Sequence, residues 1–229
     1  MKRSISIANI ILSIVILFGG ISYSILHSIP VKAFASAAFV ALGLVNLVFA
    51  LKNGSKNRAF TVVMFIGMVI AMVADIMLEI YFMTGAIIFA ISHVFNFASY
   101  CTLAPFRWRD AIPGGIMFAV SCAVVLIPPI FDFGGNIMLI VCLVYALIIS
   151  LMLGKAISNY RSDKCLLNLL LLVGSVLYFF SDMMLLFSHF SDAPGFVGKL
   201  CVNSYYIAQI FLAHSILRSQ DESVKKLDA

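Results

Sequence analysis

Long apolar runs separated by short polar ones set the rhythm of the chain. Eight of them can be drawn, roughly over residues 5–26, 31–51, 59–80, 84–104, 111–130, 136–154, 165–187 and 197–217. A helix of about 20 apolar residues crosses the hydrocarbon layer of a bilayer, so the pattern predicts eight transmembrane helices. Barrel strands would alternate over about 10 residues, and that pattern is absent. The expected fold class is all-α, a polytopic membrane helical bundle. It forms a single transmembrane domain over 1–217, followed by a short polar tail over 218–229.

Composition supports this reading. The chain is 63% hydrophobic and only 11% charged, too little polar surface for a water-soluble domain of its length. The formal charge of +5 would suggest a nucleic-acid partner only until the charges are mapped. Thirteen of the fifteen Lys and Arg residues fall before the first run, in the connections after runs 2, 4 and 6, and in the tail; only Lys32 and Lys199 fall on the other side. The basic excess marks the cytoplasmic side, so both termini are expected there, in a membrane of bacterial inner-membrane type. Residues 1–26 could instead be a signal peptide, but no small-x-small cleavage site follows. A retained helix is the favoured reading. The five cysteines stand singly in or beside apolar runs, without metal-ligand spacing, and read as small buried hydrophobes.

Two carboxylates interrupt the apolar pattern. Asp75 lies in Met68–Glu79 (MVIAMVADIMLE), and Asp182 lies 107 residues later in Ser175–Leu186 (SVLYFFSDMMLL). A charged carboxylate at a membrane-helix centre costs about 3 kcal/mol on insertion scales, and such residues commonly mark function. Their offset, and that of the fifth run from the first, fits two parallel four-helix repeats; shared hydrophobicity could produce the same likeness. Glu79 stands one turn after Asp75 on the same face, and Tyr178 one turn before Asp182. His93, Asn96 and Tyr100 share a face of the fourth run. Asn203, Tyr206 and Gln209 line the eighth, with Tyr205 beside them. Lys32 enters the second run from the side poor in basic residues.

Each of these has a plainer reading. Asn, Tyr and Gln often join helices in bundles. His93 taken alone reads as a neutral core residue, Glu79 can reach the interface, and Lys32 can snorkel to headgroups. Depth and duplication set the two aspartates apart. Two carboxylates on one cavity titrate as a pair, one protonated while its neighbour is ionised, which suits general acid–base chemistry on a substrate held in the membrane. Proton-coupled transport is equally open on residue type, as is a non-catalytic lipid-binding role. No nucleophile elbow, P-loop or dinucleotide fingerprint is present. No metal or organic cofactor is expected.

The order of pieces resembles the YhhN family of membrane proteins, which includes the lysoplasmalogenases. The likeness rests on Lys32 at the start of an early span, on AMVADIML and FMTGAIIFAISHVFNFASY, and on LYFFSDMMLLF followed by YYIAQIFLAHS. The chain departs from the family pattern in having Ala74 before the first Asp, Ala33 after the Lys, Asn96 three residues after the His, and an acidic Glu79. The resemblance implies hydrolysis of the vinyl ether bond of a lysoplasmalogen to a fatty aldehyde and a glycerophospho-ethanolamine or glycerophosphocholine. Asp75 and Asp182 would be the catalytic pair. Lys32, Glu79, His93, Asn96, Tyr178, Asn203, Tyr206 and Gln209 would hold water and substrate. The partner implied is a lysophospholipid in the bilayer, and no nucleic acid.

Overall fold

The computed structural model describes residues 3–126 and 130–219. Residues 127–129, at the end of the fifth expected span, and the tail from 220 onward lie outside the described residues. Eight α-helices follow one another: α1 (Arg3–Leu26), α2 (Ile29–Lys52), α3 (Arg58–Ile80), α4 (Phe82–Leu103), α5 (Ala111–Leu126), α6 (Asn136–Ser162), α7 (Leu166–Phe190) and α8 (Phe196–Arg218). A 3-10 turn, Trp108–Asp110, leads into α5. Taken with that turn, all eight are long and apolar enough to cross a membrane. Helices meet this need because hydrocarbon offers no partner for backbone N–H and C=O groups.

Neighbours along the chain pack against each other from α1 to α4 and again from α5 to α8. The bundle closes where α8 returns against α1, α2 and α3, and where α4 meets α6. The closure is two-fold in part. α4 on α6 and α8 on α2 are matching contacts of the two halves, whereas α8 also leans on α1 and, among the described residues, α4 makes no comparable contact with α5. Aromatic side chains span the distance from α4 to α7 and α8, including Phe89 against Tyr178 and Tyr205. In lipid, where burial alone drives little, such packing and small residues hold helices together.

A tight corner and two close approaches shape the face opposite the termini. A single extended residue, Tyr81, separates α3 from α4, and its N–H bonds the Met77 carbonyl at 2.7 Å. Gly85 lies so close to the Leu78 backbone that a Cβ there would overlap it; its absence lets α4 fold back on α3 beside Asp75. Gly20 of α1 plays a similar part, since a Cβ would come within 2.7 Å of the Tyr206 ring.

The helices agree with the expected spans to within a few residues, except at two ends. α7 continues to Phe190 rather than stopping at 187, which leaves Asp182 eight residues from its helix end and Asp75 five from the end of α3. At about 1.5 Å per residue, the two aspartates therefore differ in distance from their helix ends by roughly 4–5 Å. The larger difference is in α6, which runs to Ser162 and takes in most of the basic stretch 155–164 that reads as a loop. Lys155 was counted among the loop charges, yet only 1% of it is exposed. Its Nζ donates to Asp110 Oδ2 at 2.7 Å and to the Pro105 carbonyl at 3.2 Å. Asn159, one turn on, donates to the Tyr100 carbonyl at 3.0 Å. These partners on the preceding segments make helix affordable for polar residues that sequence alone places in solvent, and Asp110 is likewise an ion-pair partner rather than a solvated loop residue.

Breaking a buried pair from one side strands the other charge, at a cost of about 3 kcal/mol. Lys155→Met is therefore expected to lower the thermal midpoint of the detergent-solubilised protein clearly, and adding Asp110→Asn to recover much of the loss. An unchanged midpoint for Lys155→Met would show that the pair holds nothing together.

Candidate active site

Seven helices bring polar side chains to the face opposite the termini, but two aspartates organise them. Asp75, only 2% exposed, accepts two hydrogen bonds at one oxygen. Ser36 Oγ donates to Oδ2 at 2.6 Å and Tyr205 Oη at 2.8 Å. Ser36 sits on α2 one turn beyond Lys32, and Tyr205 sits on α8, so the carboxylate of α3 ties three helices. Behind it, Gln209 Nε2 donates to Tyr205 Oη at 3.1 Å and to Tyr178 Oη at 2.8 Å. Tyr206 Oη lies 3.3 Å from Ser36 Oγ and donates to the Lys32 carbonyl at 3.3 Å. With its Oδ2 acting as acceptor to two hydroxyls, Asp75 has Oδ1 as the atom left to face a substrate or carry a proton.

Asp182 is held differently. Its Oδ2 accepts from Tyr145 Oη of α6 at 2.8 Å and lies 3.1 Å from His93 Nε2 of α4. His93 Nε2 is also 2.8 Å from Tyr145 Oη, which closes a triangle of three polar groups. If Tyr145 donates to an ionised Asp182, Nε2 must carry the imidazole proton; if Asp182 carries the proton on Oδ2, Nε2 can accept it. The distances are compatible with the proton on either partner. The His93 ring is fully buried, edge-on to Tyr178 at 4.6 Å, and its Nδ1 has no protein partner.

A third group guards the mouth. Lys32 Nζ donates to Glu79 Oε1 at 2.7 Å, and Tyr23 Oη of α1 donates to the same oxygen. Lys32 also stands 5.0 Å over the Tyr23 ring, a favourable cation–π contact. The rim continues through His27, in the two-residue turn between α1 and α2. Its φ is +47°, and it is the sole non-glycine positive φ among the described residues. Left-handed backbone costs roughly 1–2 kcal/mol for a residue with a Cβ, here at the edge of a cavity.

Asp75 and Asp182 face one cavity of about 180 Å³, together with Lys32, Glu79, Tyr205 and Tyr206. A water needs about 10–15 Å³ by this measure, so the space admits several waters or a polar headgroup fragment. Of the residues singled out from sequence, Lys32, Asp75, Glu79, Asp182 and Tyr206 line this cavity. His93, Tyr178 and Gln209 stand one layer behind, bonded to or packed on the groups that do. Asn96 and Asn203 are not brought there. Asn96 is buried against Gly67, where its Oδ1 has no hydrogen-bond partner. Asn203 turns its amide to the Lys199 carbonyl of its own helix at 2.8 Å.

Sequence reasoning missed Ser36, Tyr145 and Tyr23 and gave Tyr205 no role. Ser36 carried a usable signal, its position one turn from Lys32. So did Tyr145, a lone hydroxyl in an otherwise apolar stretch of α6. Among the described residues no cluster of three His, Cys, Asp or Glu side chains could hold a metal ion.

Hydrogen bonds to a charged group contribute about 1.5–3 kcal/mol, and residues in one network couple. Tyr205→Phe and Asp75→Ala are therefore expected to be non-additive by about 1–3 kcal/mol in a cycle of unfolding free energies measured in detergent. Additive losses would mean that the Tyr205–Asp75 bond contributes nothing.

No curated protein and no solved structure matches the chain. The YhhN family model matches residues 7–216, nearly the whole bundle, and the chain belongs to the YhhN family.

Proposed function

We propose that the protein hydrolyses the vinyl ether bond of alkenyl lysophospholipids, releasing a fatty aldehyde and a glycerophospho-ethanolamine or glycerophosphocholine. The observation that carries this reading is the facing of Asp75 and Asp182 onto one cavity rimmed by the Lys32–Glu79 pair. Membership of the YhhN family is consistent with it.

The chemistry needs an acid, a water and a site for developing positive charge. An enol ether reacts by protonation of the carbon β to oxygen, which converts R–CH=CH–O–R′ to the oxocarbenium R–CH₂–CH=O⁺–R′. Water adds to the cationic carbon and gives up a proton. The hemiacetal then collapses to R–CH₂–CHO and HO–R′, consuming one water overall and returning the proton to the site. Asp182, sharing a proton with His93 and Tyr145, is the donor to carbon in this reading. Asp75, fixed by Ser36 and Tyr205, stabilises the cation through space and orients the water. Preorganised charge of this kind acts strongly where bulk water is excluded.

The rim suits the rest of the molecule. Lys32 can pair with a phosphate oxygen, and Glu79 beside it offers a counter-charge to an ammonium headgroup. The basic connections orient both termini to the cytoplasm, so the cavity opens toward the opposite leaflet. There the ether linkage of a lysolipid sits just below the headgroups, at the level of the aspartates.

General acid–base groups contribute about 10²–10⁴ in rate. The detergent-purified protein is expected to release aldehyde from an alkenyl lysophospholipid, and Asp75→Asn and Asp182→Asn each to lose at least about 100-fold while remaining folded. Aldehyde at wild-type rates from either variant would remove that carboxylate from the mechanism. No aldehyde from the folded wild type, with both ethanolamine and choline substrates, would defeat the reading.

A further inference from the structure

Asp182 borders a second space. On the far side of its carboxylate lies a narrow apolar crevice between α4, α5, α6 and α7, holding about 70 Å³. Its walls include Ala86, Ala146, Phe179, Met183 and Leu186, and Tyr145 reaches through it to bond Asp182. Asp182 and Leu185 are the two residues common to this crevice and the polar cavity. A polar chamber and an apolar one thus meet at a carboxylate. Neighbouring side chains on the same helices, Val144 and Val176 among them, are exposed on the bundle's outer surface, so the crevice lies at the depth of lipid chains.

We propose that this crevice is the subsite for the hydrocarbon chain of the reacting lipid, threaded past Asp182 while the headgroup occupies the polar cavity. The assignment rests on the hydrolase reading for its chemistry but on the two meeting cavities for its geometry. An amphiphile laid across both chambers has its polar–apolar junction at Asp182, which is where the ether-linked carbons of a single-chain lipid lie. At about 10–15 Å³ per water-sized group, the crevice takes a single file of about five chain carbons and excludes a second chain alongside. With the headgroup in the polar cavity, a second chain leaving the glycerol would have to lie against Lys32, Asp75 and Glu79, so the arrangement favours lysolipids over two-chain lipids. Ala86 and Ala146 are the small wall residues that leave it open, which makes them determinants of chain acceptance.

Two measurements test this. In the first, the wild-type protein is irradiated with a lysophosphatidylethanolamine carrying a diazirine about five carbons from the glycerol oxygen, and with a two-chain phosphatidylethanolamine labelled at the same position. Adducts from the lysolipid are expected on α6 and α7 at the crevice, with at least about tenfold less from the two-chain lipid, the difference of about 1.4 kcal/mol that a tight single-file site should exceed. In the second, Ala146→Trp fills the crevice and Val144→Trp, on the exposed side of the same helix, serves as control. Ala146→Trp is expected to lower kcat/KM for a sixteen-carbon alkenyl chain at least about tenfold more than for a two-carbon vinyl ether, which has no chain beyond the reacting carbons to enter the crevice, and Val144→Trp to leave that ratio unchanged. Adducts confined to the outer helix faces, equal labelling by both lipids, or a loss independent of chain length would overturn the proposal. Labelling does not depend on turnover, so a protein that labels in the crevice but releases no aldehyde would keep the subsite and sink the hydrolase.

Discussion

Hydrocarbon offers no hydrogen bonds, so a carboxylate inside the bundle has to be answered by the protein itself. Asp75 is where this constraint acts hardest. Ser36 and Tyr205 meet its Oδ2, Gln209 holds Tyr205, and Tyr206 bridges from Ser36 to the start of α2. The set joins α2, α3 and α8 at one point. The Cβ-free Gly20 and Gly85 then allow α1 against Tyr206 and α4 against α3. Around Asp75, polar satisfaction and close backbone approach specify the same arrangement.

The two aspartates look alike in sequence and differ in structure. Asp75 is enclosed and receives hydroxyls; Asp182 shares an oxygen with an imidazole and a phenol and faces two cavities. In the proposed reaction these environments divide the labour. There Asp75, fixed by donors, is the counter-charge, and Asp182, facing a histidine, gives the proton. The helices themselves correspond, since Asp75 of α3 is met from α2 and α8 and Asp182 of α7 from α6 and α4; the asymmetry lies in the side chains those helices present.

Much of the fold was legible because bilayer thickness and helix rise leave few choices. The eight apolar runs and the polar breaks between them anticipate the helices, and the intramembrane aspartates point to the end of the bundle where the cavity lies. What escaped depends on partners distant in sequence. Lys155 and Asn159 look like loop residues until Asp110 and the Tyr100 carbonyl are seen beside them. Tyr145 stands in an apolar stretch of α6 and Tyr23 between two serines of α1, and nothing local tells which carboxylate each will meet. Helical spacing placed Asn96 beside His93 and Asn203 beside Tyr206, but a spacing of three residues swings about 60° around the helix. That was enough to turn Asn96 toward Gly67 and Asn203 back to its own backbone.

The central claim is that a carboxylate of this cavity protonates a carbon of the substrate. The most direct measurement is turnover of an alkenyl lysophospholipid by the wild-type protein in D₂O, with the aldehyde reduced to the alcohol as it forms and analysed by mass. The account predicts a single deuterium on the carbon next to the former carbonyl. Product without that deuterium, or no product at all, would contradict it.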